Sequence, residues 1–282
     1  MPEGDTVWQT ARRLHTALAG EPLTRFDLRV PAFATSDLTG RTVVETVARG
    51  KHLLTRVEGG FTLHSHLRMD GSWRIFAAGE RWQGGPAHQI RAVLGNASRT
   101  AVGYRLPVLE LLRTEDEQRV VGHLGPDLLG PDWDADLARA HLLADPSRPL
   151  GEALLDQRNL AGIGNVYKSE LAFLAGVTPW LPVGELPEGV PERLMATAHR
   201  LLEANKHTFE RRTTAPGSRA AARSRLHVYG RAGQPCPRCG TPVRRSPGSD
   251  GTPGAHPARA RGGNDDERVT YWCPGCQSGP TS

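Results

Sequence analysis

No stretch of the 282-residue chain approaches the roughly 20 apolar residues that a membrane-spanning helix needs. Mean hydropathy is −0.43, which argues against a membrane protein. The N-terminus carries no basic region followed by an apolar run, so no secretory signal is legible and a cytoplasmic location, associated with the nucleoid, is expected. No internal repeat is visible. Cysteine is scarce: there are four, and all of them fall in two C-x2-C pairs, Cys236/Cys239 and Cys273/Cys276. Such pairs in a reducing compartment are not a disulfide framework. Four thiolates at this spacing suit one tetrahedral Zn²⁺ in a structural role, with no position left open for catalysis. The spacer between the pairs is longer than usual, but it is rich in Gly, Pro and Ser over 246–264 and can loop out.

The length suits two or three domains, and 38% hydrophobic residues are enough to build cores. Net charge is +5. The excess is uneven: Arg200–Arg245 holds eleven Lys/Arg against Glu203 and Glu210. This run leads into the cysteine cluster, which favours a surface facing a polyanion over a merely solvated one.

The spacing of Val7, Ala11, Leu14 and Leu18 predicts an N-terminal helix, with Asp5 as its N-cap and Gly20 as its stop. Residues 1–4 would then be an extended lead-in. Short alternating runs at Thr42–Val47, His52–Val57, Phe61–His66, Trp73–Phe76 and Gln89–Leu94, separated by Gly-containing turns, predict a β-sandwich. "GPDLLGPDW" at Gly125–Trp133 reads as a linker. Helical spacing follows from Asp134 to about Leu202, and Arg193–Asn205 adds another helix. "LAGIGN" forms a Gly-bearing turn between two of the helices.

Position 2 invites a chemical reading. Pro2 would become the N-terminal residue once the initiator methionine is removed. Its secondary amine has a useful neutral fraction near neutral pH and can form an iminium with an electrophilic carbon. Glu3 is a neighbouring general acid or base. On these residues alone, a disordered chain start is the more ordinary reading.

Two further stretches change the weighing: "LLDQRNLAGIGNVYKSE" and "VYGRAGQPCPRCG…RVTYWCPGCQ". Together with "MPEG", and in this order, they resemble the formamidopyrimidine-DNA glycosylase / endonuclease VIII family of DNA repair enzymes, with the endonuclease VIII branch the nearer. The resemblance implies a multidomain α+β fold. Residues 1–125 would be a catalytic β-sandwich with a leading helix, 126–228 a helix–two-turns–helix bundle that binds DNA, and 229–282 a zinc-finger β-hairpin built on the four cysteines.

It further implies a bifunctional glycosylase and abasic-site lyase acting as a monomer on damaged DNA, duplex or single-stranded. Pro2 would be the nucleophile and Glu3 the acid that protonates the sugar ring oxygen. Lys51 and Arg268 would hold phosphate at the lesion, and Asn165 the DNA backbone. Met69 would fill the gap left by an everted base. Arg49 is expected to share a strand face with Lys51. His64 and His66 share a strand face and read as structural or DNA-facing rather than as metal ligands. Oxidised pyrimidines are the expected lesions. Oxidised purines are the alternative, and a non-catalytic damage sensor is a rival of a different class. The chain departs from the family pattern at Asp5-Thr6, where Pro-Glu is usual, in "AVGYRLPVLEL", and in the long insert between the cysteine pairs.

Overall fold

The computed structural model describes residues 2–208, 210–246 and 269–281. The chain divides into two compact units, Met1–Pro131 and Asp132–Ser282. The boundary falls in the stretch read as a linker.

The first unit begins with α1 (Gly4–Leu18), which buries Val7, Ala11, Leu14 and Leu18 along one face. Its N-cap is Glu3, in extended conformation. Asp5 is therefore not the cap: it lies inside the first turn, and its carboxylate accepts the adjacent Thr6 N–H at 2.7 Å. The extended lead-in shrinks to the residues before Gly4. The helix stops at Ala19, and Gly20 follows at φ +81°, where glycine bears no Cβ penalty.

Eight strands follow: β1 (Arg25–Leu28), β2 (Val43–Arg49), β3 (His52–Val57), β4 (Phe61–His66), β5 (Ser72–Ala77), β6 (Ile90–Gly95), β7 (Arg99–Tyr104) and β8 (Val108–Arg113). They form two antiparallel four-stranded sheets, ordered β1-β6-β7-β5 and β2-β3-β4-β8. Phe26, Leu28, Ala92, Leu94 and Ala101 of one sheet meet Val43, Leu53, Val57 and Leu63 of the other, together with the apolar face of α1, in one core. Alternation of inward apolar and outward polar residues is what lets two sheets share such a core. The Trp73 indole N–H donates to Ser65 Oγ at 3.2 Å and links the sheets inside it. The sequence reading missed β1, β7 and β8. The last two lie largely in "AVGYRLPVLEL", where apolar residues run almost without alternation because β7 is buried on both faces: a second cluster, with Phe76, Ile90, Val93, Val102 and Tyr104, covers the far side of its sheet. A short helix, α2 (Gln118–Val121), closes the unit.

The second unit contains α3 (Ala135–Leu142), α4 (Leu150–Leu155), α5 (Asn165–Ala175), α6 (Val190–Asn205) and the short α7 (Arg219–Arg223), then the antiparallel pair β9 (Arg244–Ser246) and β10 (Thr270–Trp272). Asp134 caps α3 by accepting from the Asp136 and Leu137 N–H groups at 3.0 and 2.9 Å. Helix α5 is nearly all buried and ends at Gly176, which takes φ +77° as a left-handed cap. No described helix is long and apolar enough to cross a membrane.

Candidate functional site

In the first unit, α1 sets the chain start. Pro2 is half-buried, while Glu3 is fully buried at the helix N-terminus. Pro2 and Glu3 thus sit together at the start of a well-formed helix.

Lys51 is placed differently from the sequence reading. Arg49 is the last residue of β2, and Gly50–Lys51 is a two-residue hairpin turn into β3, with Arg49 paired to His52. The two cations are thus not on one strand face; a turn separates them. Gly50 takes φ +56°, the conformation a tight hairpin asks of its first turn residue. Its N–H donates to the buried Asp127 carboxylate at 2.7 Å, and Arg49 Nη2 donates to Gly125 O at 3.2 Å. Asp127 and Gly125 lie in the segment read only for its turn residues, so this anchor of the Lys51 turn was missed.

Beside Lys51 lies an array of imidazoles. His52 stands opposite His66 across β3–β4. His52 Nδ1 lies 2.8 Å from His64 Nε2, and His64 Nδ1 lies 3.4 Å from Glu110. Burial, reinforced by His66, His64, His123 and Lys51, pushes His52 down to about 3. Burial, with Lys51 and Arg68 nearby, pushes His66 down to about 3 as well. These rings are neutral, and Lys51 carries the charge at the turn. Among the described residues no histidine joins a group fitted to hold a metal.

Met69 lies in the β4–β5 turn and is half-buried, with exposed Arg68 and Asp70 on either side. The side chain is not part of the apolar core.

In the second unit, α4 and α5 are joined by two turns stapled by Gln157. Its amide donates to Leu155 O and Ile163 O at 2.7 and 3.0 Å and accepts from the Gly162 N–H at 3.1 Å. Asn165 is the first residue of α5, and Gly164 is the N-cap. The buried Asn165 amide donates to Val269 O at 2.6 Å. Lys168, one turn on, reaches Val269 O and Thr270 Oγ1 at 3.2 and 2.9 Å. The start of α5 therefore grips the chain where β10 begins, at the end of the ladder that pairs Thr270 with Ser246.

Glu170, also on α5, is fully buried and holds the segment leading to the cysteines. Its carboxylate accepts the N–H groups of His227, Val228 and Tyr229 at 2.8, 2.8 and 2.9 Å, and the Thr213 hydroxyl. Burial pushes this carboxyl up, but His227, Thr213 and the backbone donors outweigh it and hold the group below its usual range. Neither Lys168 nor Glu170 was singled out in the sequence, because a charged residue inside a helix reads by default as solvent-facing.

Cys236, Cys239, Cys273 and Cys276 converge, with all four sulfurs within 4.8 Å of one another. Two of the separations are 3.9 and 3.5 Å. Four thiolates about 2.3 Å from a central ion would stand about 3.8 Å apart, so the donor set fits a tetrahedral metal. The thiols by themselves titrate unequally. Thr241 pulls Cys239 down to about 6, while burial pushes Cys273 up to about 11 and Cys276 further still. A divalent cation would let all four ionise together. Arg268 lies outside the described residues, immediately before Val269.

The profile of the formamidopyrimidine-DNA glycosylase N-terminal domain matches residues 1–105, and that of the formamidopyrimidine-DNA glycosylase H2TH domain matches residues 124–212. A Streptomyces coelicolor protein named "Probable endonuclease 8 2" is 67% identical over 280 residues, covering 99% of this chain and 95% of its own. The "DNA-(apurinic or apyrimidinic site) lyase Nei2" of Mycolicibacterium smegmatis is 48% identical over 278 residues, covering 99% of both chains. The structure of a Lactococcus lactis formamidopyrimidine-DNA glycosylase bound non-covalently to DNA containing an AP site matches with a TM-score of 0.77 at 23% identity, covering 98% of this chain and all of that one, a likeness of fold. Profiles across both units, and relatives this similar from end to end, give one conclusion: the chain belongs to the formamidopyrimidine-DNA glycosylase / endonuclease 8 family.

Proposed function

We propose that this protein is a bifunctional DNA glycosylase and abasic-site lyase of base excision repair, with Pro2 as its nucleophile. The observation that carries the reading is the helix cap that seats Glu3, buried, directly beside Pro2. A protein that only binds DNA needs neither an amine nor a buried acid at its start. The relatives' names, which include a DNA lyase, support the same reading.

The chemistry follows from the two groups. With the initiator methionine gone, the neutral Pro2 amine attacks C1′ of the damaged nucleotide. Protonated Glu3 gives its proton to the ring oxygen as the C1′–O bond breaks and the sugar opens, the base departs with the proton that the attacking amine gives up, and an iminium joins Pro2 to C1′. Loss of the C2′ proton then expels the 3′ phosphate, and a second elimination expels the 5′ phosphate. Water finally releases the sugar fragment from Pro2. Lys51 on its braced turn supplies a fixed positive charge for a phosphate next to the lesion, and Arg268 does the same from the hairpin. Asn165 and the N–H groups at the start of α5 take the DNA backbone. Met69 occupies the space left by the everted base.

The substrate is damaged DNA, and oxidised pyrimidines are the lesions we assign. The four-cysteine cluster holds one structural Zn²⁺, which fixes the hairpin and leaves no ligand position for catalysis. Residues 1–125, 126–228 and 229–282 act as catalytic, helix–two-turns–helix and zinc-finger parts.

The test is covalent trapping. Incubation with abasic-site or thymine-glycol DNA and borohydride should give a stable protein–DNA adduct. Pro2→Gly and Glu3→Gln should lose strand cleavage while keeping DNA affinity. Full lyase activity in either variant, or an active protein whose mass includes the initiator methionine, would overturn the reading.

A further inference from the structure

Two non-glycine residues among those described take positive φ, Arg68 and Arg105, each at +48°. An L-residue held there costs on the order of 1 kcal/mol and persists where its surroundings over-determine it. Arg68 lies in the turn that carries Met69. Arg105 lies in the turn between β7 and β8, remote in sequence, yet the two are joined. Arg105 Nε donates to Asp70 O at 3.1 Å, on the far side of Met69. Its Nη1 donates to Gln89 Oε1 at 2.9 Å, and its backbone N–H to Gln89 O at 2.7 Å. On the near side, the Arg68 N–H donates to His66 Nδ1 at 2.9 Å. Across the turn, the Gly71 N–H donates to Leu67 O at 2.8 Å. Gly71 has no room for a side chain, since a Cβ would stand 2.5 Å from Leu67 O.

We infer that Arg105, with His66, is a positioning residue for Met69: it clamps the 67–71 turn so that the thioether is aimed before DNA arrives. The inference rests on the reading of Met69 as the residue that fills the vacated stack. A rigid wedge enters a base stack without first losing conformational freedom, whereas a loose turn must be ordered at the moment of insertion. The Arg68 N–H sets the His66 tautomer in which Nδ1 accepts, and burial favours the neutral ring.

The experiment uses the full-length protein and a duplex with a tetrahydrofuran abasic analogue beside 2-aminopurine, whose fluorescence rises when it is unstacked. Arg105→Asn is the informative variant, because asparagine tolerates the left-handed backbone and only the guanidinium is lost. Arg105→Asn should bind the duplex but lose most of the fluorescence rise. Its single-turnover excision from duplex thymine-glycol DNA should slow about tenfold. Cleavage of single-stranded abasic DNA, where no stack needs filling, should be unchanged, and Arg105→Lys should restore part of the rise. Should Arg105→Asn fail to fold, Gln89→Ala, which frees the guanidinium from its second acceptor, should show the same pattern in weaker form. A normal rise in Arg105→Asn alongside a lost rise in Met69→Ala overturns the clamp alone. A normal rise in Met69→Ala overturns the reading of Met69 and the clamp with it.

Discussion

Glu170 shows how much one buried side chain can organise. A carboxylate taken out of water is tolerated only when its lone pairs are satisfied, and here three consecutive N–H groups and a threonine hydroxyl satisfy them. Removing it leaves those donors buried without an acceptor. Glu170→Ala should therefore lower unfolding free energy by roughly 3 kcal/mol, read as a lower denaturant midpoint. Glu170→Gln should fall between the two, since an amide oxygen accepts but carries no charge. Such a residue is poorly legible in sequence. "YKSEL" offers two charged positions in a helix, and nothing in the spacing tells that Lys168 and Glu170 both point inward. Pro2 and Glu3 drew notice in the sequence for a different reason, the chemistry of a secondary amine beside an acid. Asp5 misled because an aspartate ahead of an apolar-periodic run looks like a cap, whereas the helix has already begun at Gly4.

At the scale of elements, the β2–β3 and β3–β4 hairpins put His52, His64 and His66 together, which the strand spacing alone anticipated only for the last two. His52 and His66 are held near 3 by burial and by neighbouring cations, and His64 is lowered too. The consequence for stability has a definite sign. Between about pH 6.5 and 3 the unfolded chain binds more protons at these rings than the folded chain, so stability falls as pH falls. The neutral-form contribution is fully present above the ordinary histidine range and drains away below it. The melting temperature should thus drop between pH 7.5 and 5.5, before the carboxylates titrate. The drop should shrink in His52→Leu, and an unchanged difference in that variant would remove the array as its cause. The other elements follow the same division between legible and hidden. Alternating strands and amphipathic helices were readable, while β7, apolar on both faces, gave no period to read.

Across the whole molecule, two compact units each have an organising centre: the shared core of two sheets and α1 in the first, and α5 with the cysteine cluster in the second. In the second centre Phe173 of α5 and Val243 pack with Cys236 and Cys273 in a single buried cluster, so the metal we assign to the four cysteines would brace this packing. Chelation by a strong zinc ligand should expose four thiols to a colorimetric reagent, release one equivalent of zinc and abolish duplex binding. Readdition of zinc should reverse this. Fewer than four newly reactive thiols would mean that a cysteine lies outside the metal site. The pairing of β9 with β10 has its own consequence. Ser246 stands directly opposite Thr270, so the chain leaves and re-enters the hairpin at points about one strand spacing apart. Cys273 follows Trp272 at the other end of that ladder. Lineages could therefore lengthen or trim the insertion between the cysteine pairs by many residues, drifting in size while the thiol geometry stays fixed.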